Sequence, residues 1–423
     1  MNDLAIGEIV YDQDGRSYEL VAHIGGGGQG RIYTTTKSDV LVKVFNLSSA
    51  NPVESVQRVR RMPFAGLSVT PPMSILESRP GYTLKFQNDM TVARNLRFAG
   101  HRVHPKDFWM DSGGLSRRLS LAMRAALVVE QLHARGVVYG DLNNVNVMVS
   151  DDSEHDAVTI IDLDNAAYSG TPPSGWYTPW FSAPEVANGD DTSFASDDFS
   201  LAILVFELIT MVHPFYSGKR AMGAPVGGAD YRAGQRCLLP SSIDPNDDSN
   251  RCDSYPVSTA ERLIAEPLMA LLRRSLGKGR TNPRARATAA ELRAATFACF
   301  ADVVVCEDCG WSYGYSLART CPDCGHDSPT VEIRLTIPGA TEPAWRLRVG
   351  ATQRTFDLSM AFPMLARLQR IPGLYRIDLV AQRTNIRARP HDDARIQVSP
   401  FVRPGEILSL EGFGDLNIDV GVR

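Results

Sequence analysis

The sequence predicts an α+β chain with a strand-rich first lobe, a helical second lobe, a four-cysteine knuckle and a small β-rich C-terminal module. Three observations carry this expectation. Short β-branched runs alternate with turn residues at the start of the chain. Long stretches of helical apolar periodicity follow. Two Cys-x-x-Cys pairs then precede a second set of turn-punctuated strands.

At 423 residues the chain exceeds what one hydrophobic core usually organises, which predicts two or three domains. Its 43% hydrophobic and 22% charged residues are ordinary for a soluble globular protein. The net charge of −4, from 44 basic and 48 acidic side chains, gives no general pull towards nucleic acid or an anionic membrane. Lysine is scarce (Lys37, Lys43, Lys85, Lys106, Lys219 and Lys278), so a lysine at a critical spacing is informative. The longest apolar stretch, around 201–209, is far short of the ~20 residues a membrane span needs and contains Glu207. The N-terminal Met-Asn-Asp-Leu has neither the basic start nor the apolar run of a signal peptide. Four of the seven cysteines cluster, which favours a metal site in a reducing compartment, and the cytoplasm is the expected location.

Runs 18–24, 31–36 and 40–45 read as the first strands, with a helix near 53–62 and further strands near 74–77 and 82–87. Leu115, Leu119, Met123, Ala126, Val129 and Leu132 recur at three- and four-residue spacing and predict a core-facing helix over 115–133. Residues 200–211 are apolar nearly all round, so that helix is expected to be buried. The Gly-, Pro-, Asp- and Ser-rich stretch 217–258 reads as a long, weakly ordered insertion. Helices near 260–276 and 287–300 follow, then the cysteines. Strands are expected near 331–337, 345–349, 375–380 and 407–410, with a helix around 360–370.

Gly25, Gly26, Gly27, Gly28 and Gly30 form a glycine run between two strands. Such a run lets the backbone lie directly on a polyphosphate, where any Cβ would obstruct it. Alone it fits a flexible hairpin equally well. A dinucleotide fold needs a helix directly after the glycines, and a P-loop needs Gly-Lys-Ser/Thr; here Arg31 and Ile32 follow on a strand. Lys43 lies inside the apolar strand 40–45, where an ammonium needs partners. Phosphate oxygens and Glu54, on the next helix, are the expected ones.

The stretch Tyr139-Gly140-Asp141-Leu142-Asn143-Asn144-Val145-Asn146 resembles the catalytic loop of eukaryotic-like (Hanks-type) protein kinases. The resemblance makes Asp141 the catalytic aspartate and Asn146 a metal ligand. Asp162-Leu163-Asp164 is similar to the family's Asp-Phe-Gly element, which assigns magnesium to Asp162. Ala183-Pro184-Glu185, the helix-opening Asp197, His213-Pro214-Phe215 and Arg286, the implied partner of Glu185, follow in the family's order over about residues 10–300. The implied fold is a bilobal protein-kinase fold over 8–300; after it, the cysteine spacing predicts a zinc ribbon over 301–328 and the strand pattern a β-rich domain over 329–423. The implied reaction is transfer of the γ-phosphoryl group of ATP to Ser/Thr hydroxyls of a protein, with Gly25 to Gly30, Ile32, Lys43 and Glu54 around the nucleotide.

Three departures qualify that expectation. Tyr139-Gly140 stands where the family has His-Arg, which argues against a required phosphate on the activation segment. Asn143 stands where Ser/Thr kinases carry a lysine, removing a cation from the transition state. Asp164 replaces the glycine of the metal-binding element and questions its hinge-like freedom. Thr178, five residues before Ala183, matches the Ser/Thr-specific threonine. A second reading is therefore a pseudokinase scaffold; a third, a small-molecule kinase on the same fold, fits the Ala-Pro-Glu element and the Asp197 helix less well.

Cys306-x-x-Cys309 and Cys321-x-x-Cys324, each followed by glycine, have the spacing of a tetrahedral Zn2+ site. Four thiolates close the coordination sphere, so the site is expected to be structural. As a separate module, the ribbon is expected to loosen on chelation before the kinase core does. Residues 329–423 are read as a binding module for regulators or substrates, or as a stabilising appendage.

Overall fold

The computed structural model describes residues 4–26, 30–46, 52–77, 79–97, 104–170, 177–215 and 262–327, and the backbone of strands within 330–419. The expected insertion at 217–258 and helix at 360–370 lie outside the described residues. Strands β1 (Ile9–Tyr11), β2 (Ser17–Gly26), β3 (Gly30–Thr35), β4 (Val40–Phe45), β5 (Ser74–Ile75) and β6 (Gly81–Lys85) form one sheet ordered β1-β2-β3-β4-β6-β5. Its ends meet: Gln13 N donates to Ile75 O and Glu77 N to Tyr11 O, both at 2.9 Å, so the sheet curls on itself. Helix α1 (Pro52–Arg60) packs on the sheet through fully buried Val56 and Val59, while Glu54 and Gln57 turn outward. The 3.6-residue period makes this split: Val56 and Val59 share one face, and Glu54 falls on the other.

The second lobe is built on α3 (Gly114–His133), preceded by the short α2 (Pro105–Asp111), with α4 (Pro184–Ala187), α5 (Phe194–Thr210), α6 (Glu266–Leu276) and α7 (Ala289–Phe300). Helix α5 starts earlier than its apolar run suggests. Ser193 and Ser196 form a reciprocal capping box, so the polar opening turn is helical as well. Short strands β7 (Met90–Val92), β8 (Val137–Val138), β9 (Val147–Ser150), β10 (Val158–Ile160) and β11 (Ala167–Tyr168) hold the loops between them. The pair β9–β10 presents the catalytic-loop candidate on one side and Asp162 on the other.

The knuckles follow as β12 (Val303–Val305) and β13 (Ser312–Gly314), an antiparallel pair. They do not stand apart. Cys306, Trp311, Tyr313 and Cys321 belong to the same buried cluster as α3 and α5. Trp311 stacks on Trp109 of α2, with ring centroids 5.8 Å apart, and the Arg118 guanidinium lies 4.9 Å from the Trp109 ring. Ser312 Oγ accepts from Leu115 N at 2.7 Å, capping α3 from a distant part of the chain. Gly114 is required there: its φ is +57°, and a Cβ would collide with Ser312 Oγ.

Beyond the knuckles, β14 (Thr330–Thr336), β15 (Trp345–Gly350) and β17 (Arg376–Ala381) form one antiparallel sheet. A second sheet joins β16 (Thr355–Asp357), β18 (Ala388–Pro390), β19 (Ile407–Leu410) and β20 (Gly414–Asp419). All four strands expected from the sequence here are present, with bounds shifted by a residue or less. No helix among the described residues is long and apolar enough to cross a membrane.

Candidate active site

The register of the first sheet decides what stands beside Lys43. Ile32 on β3 and Tyr82 on β6 are its direct cross-strand partners, so the three side chains form a row on one face. Lys43 is almost fully buried, and its Nζ donates to Asp162 Oδ1 and to Asp164 Oδ2, each at 2.6 Å. Tyr82 OH donates to the other Asp164 oxygen at 2.7 Å. Ser55 Oγ, from α1, donates to the Asp164 carbonyl at 2.9 Å.

This corrects the expected Lys43–Glu54 pair. Glu54 is exposed on the outer side of α1, and the carboxylates acting on Lys43 are Asp162 and Asp164. Burial alone would lower the Lys43 pKa, but these two carboxylates outweigh it and hold it above the ordinary lysine range. Asp164 is pushed up to about 6, because burial and its neighbour Asp162 outweigh the pull of Lys43. One ammonium thus faces two carboxylates, and the pocket keeps an excess of negative charge suited to a cation.

Asp141 is half-buried. It accepts from Thr178 Oγ1 at 2.6 Å on Oδ1 and from Asn146 Nδ2 at 3.1 Å on Oδ2. Burial pushes its pKa up to about 6; hydrogen bonds from Thr178 and Asn146 offset part of that, and the charge of Asp162 adds to it. Asn143 is spent inside the loop. Its amide donates to Asp141 O (3.0 Å) and Thr178 Oγ1 (2.9 Å), and its carbonyl accepts from Val145 N and Asn146 N. It shapes the loop and supplies no cation.

The backbone here is fixed from three sides. Asp197, on α5, accepts from Tyr139 N at 2.7 Å and Gly140 N at 2.9 Å. Tyr139 OH donates to the carbonyls of Ile161 (2.6 Å) and Asp162 (3.2 Å), tying the 139–146 loop to the 162–165 turn. Asp162 has φ +56°, a conformation L-residues rarely adopt and one found where the surroundings over-determine it. Gly140 has φ +85°, and a Cβ would lie 3.2 Å from Asn165 O. Glu185 and Arg286 form the expected bidentate pair, at 2.5 and 2.7 Å.

The glycines divide. A Cβ on Gly30 would run into the Val44 carbonyl, so strand packing requires glycine there. Gly25 has nothing within 4 Å of a Cβ position, which leaves room for a ligand. Gly27 and Gly28 lie outside the described residues. Asn146 and Asp162 carry oxygen donors of the kind a divalent cation takes. The four thiols of Cys306, Cys309, Cys321 and Cys324 lie within 4.8 Å of one another. Two of the separations are 3.5 and 3.6 Å, close to the ~3.8 Å edge of a tetrahedron of 2.3 Å Zn–S bonds.

Reading the sequence missed Asp164 as a lysine partner, and also Tyr82, Ser55 and the Tyr139 hydroxyl. Only the register of β4 with β6 could have pointed to Tyr82, and register across the intervening residues 46–80 has no local signal.

The family model described as protein kinase domain matches residues 116–297. The chain is 24% identical over 246 residues to a probable serine/threonine-protein kinase of Clostridium perfringens, covering 55% of this chain and 33% of that protein. It is 24% identical over 254 residues to one of Streptomyces coelicolor (55% and 35%), and 25% identical over 229 residues to one of Lactococcus lactis (50% and 34%). The chain thus spans about a third of the length of these relatives. With the curled sheet, the Asp141 loop and the Asp162 turn in place, residues 116–297 match a protein kinase domain, and about half of the chain is similar to bacterial serine/threonine-protein kinases.

Proposed function

We propose that the chain transfers the γ-phosphoryl group of Mg-ATP to Ser/Thr hydroxyls of a protein, without needing phosphate on its activation segment. The observation that carries this is the Asp141 carboxylate, held between Thr178 and Asn146 and near enough to Asp162, the partner of Lys43, to feel its charge. Asp141 would orient the acceptor hydroxyl and take its proton. Lys43 would bind the α- and β-phosphates, Asn146 and Asp162 would hold magnesium, and Gly25, Gly26 and Gly30 with Ile32 would lie over the nucleotide. Magnesium, when bound, offsets charge on the phosphates. Thr178 fixes the Asp141 oxygen and supports Ser/Thr specificity.

Gly140 supports independence from activation-segment phosphate, because no cation there needs compensation. The scaffold reading draws on Asn143, which brings no charge to the transferred group. One experiment separates the two: incubation with radiolabelled ATP, magnesium and a generic protein acceptor, wild type beside Asp141→Asn. Transfer by the wild type and a loss of about 1000-fold in the variant is the expected result. Equal labelling in both, or none, refutes the enzyme.

The four-cysteine site is proposed to hold structural Zn2+, with one ion per chain by elemental analysis. Residues 329–423 are proposed to bind regulatory proteins, supported by their two sheets, whose strands supply none of the residues named above for the site.

A further inference from the structure

We propose that Asp164 is the positioning residue for Lys43, in place of a glutamate from α1, so that the lysine and the metal-binding Asp162 are assembled as one unit. This rests on the phosphoryl-transfer reading above and deepens it.

A lysine needing only charge neutralisation already has Asp162. Asp162 is also the carboxylate a divalent cation would claim. Asp164 is then the group left to hold Nζ towards the phosphates. Its two oxygens are used differently: Oδ2 holds Lys43, and Oδ1 is fixed by Tyr82 OH. Its carbonyl is held by Ser55. Glycine at this position could make none of the side-chain contacts. A carboxylate anchored at both ends of its residue is a rigid mount for an ammonium.

The source of the mount matters for control. A partner on a separate helix lets the pair form or break as the helix moves. Here the mount sits two residues from Asp162, on the same short turn (Leu163–Asn165), and the Tyr139 hydroxyl holds the carbonyls before that turn. The faces of α1 agree: Ser55, Val56 and Val59 face inward, and Glu54 is exposed. Helix α1 contributes apolar packing and one hydroxyl. It is not the element that completes the lysine site.

The test uses the full chain with Asp164→Asn and Asp164→Gly. Asparagine keeps the shape and the Tyr82 partner but removes the charge. Two readouts are taken: kcat and KM for ATP with magnesium, and acetylation of Lys43 by acetic anhydride without nucleotide, relative to exposed Lys85, by mass spectrometry. Expected is a kcat loss of about 10- to 100-fold, with KM for ATP within about 3-fold, because positioning acts on the transition state. Lys43 acetylation should rise several-fold as the amine loses one of its two acceptors. Asp164→Gly should lose at least as much kcat. Unchanged acetylation, transfer within about 3-fold of wild type, or an equal loss in Glu54→Gln would overturn the proposal. If the wild type itself transfers no phosphate, the phosphoryl-transfer reading fails, and the acetylation ratio still decides whether Asp164 holds Lys43.

Discussion

Trp311→Ala tests whether the cysteine ribbon is part of the kinase core. Trp311 is only 5% exposed and stacks on Trp109, which is itself fully buried. Removing a buried tryptophan typically costs about 3–5 kcal/mol. The stack contributes roughly 0.5–1.5 kcal/mol of that. Trp109 would lose its cover while still facing the Arg118 guanidinium, so little collapse can offset the cavity. With about 2–4 °C per kcal/mol for a domain this large, the transition should fall by roughly 6–20 °C. Thermal unfolding followed by circular dichroism, in parallel with phosphate transfer during heating, measures it. Both should move together, and a strong chelator should shift the same single transition. This revises the expectation of a ribbon that loosens first, because Cys306 and Cys321 sit in the core shared with α3. Two separated transitions, with only the minor one moved by Trp311→Ala or chelation, would refute the shared core.

Lys43→Met should abolish transfer and also destabilise the protein by about 3 kcal/mol, since Asp162 and Asp164 would face each other without an ammonium; a melting point equal to wild type's would count against the pairing. The combined variant Ser169→Ala, Thr171→Ala, Ser174→Ala and Tyr177→Phe should keep its transfer rate. A loss beyond ~100-fold, about 2.7 kcal/mol, would show a phosphorylation switch. A third expectation concerns pH. Asp198 is pushed up to about 7 by burial, which outweighs the attraction of His133, and Asp197 holds His133 above its ordinary range despite burial. Both folded-state pKa values are raised, so both contribute stability at low pH that is lost as pH rises through about 7 and above. Melting points at pH 6 and 8.5 should therefore differ less in Asp198→Asn, which keeps an acceptor for Ala289 N; an unchanged difference would refute this origin.

The order of motifs in the sequence was enough for the lobes and for the residues gathered around Asp141. Periodicity found α3 to within a residue, because its apolar set is regular and its cap is a glycine pair. What stayed hidden was long-range. Asp164 reads in sequence as a lost glycine, and its gain shows only when β4 and β6 set Lys43 beside Tyr82. Glu54 was chosen from the spacing of a helix whose rotation the sequence left open. The ribbon's role in capping α3 joins residues 115 and 312, which no local pattern connects.

Three departures from the family pattern, at 139, 140 and 164, look independent in the sequence but meet at one place. Tyr139 reaches the Asp162 carbonyl, Gly140 lies against Asn165, and Asp164 lies between them in the chain. Each removes a degree of freedom from the 162–165 turn or makes a switch unnecessary. A positive φ at Asp162 costs about 1–3 kcal/mol unless its surroundings hold it. The Tyr139 hydroxyl, two bonds to the Asp164 carboxylate and the Ser55 bond to its carbonyl, at about 1 kcal/mol each, are sufficient to offset that cost. Glycine at 164 would keep the Tyr139 and Ser55 bonds and lose the two made by the Asp164 carboxylate, about 2 kcal/mol of that support. If Asp164 mounts Lys43 as proposed, the lysine site forms together with the 162–165 turn and does not depend on a side chain from α1.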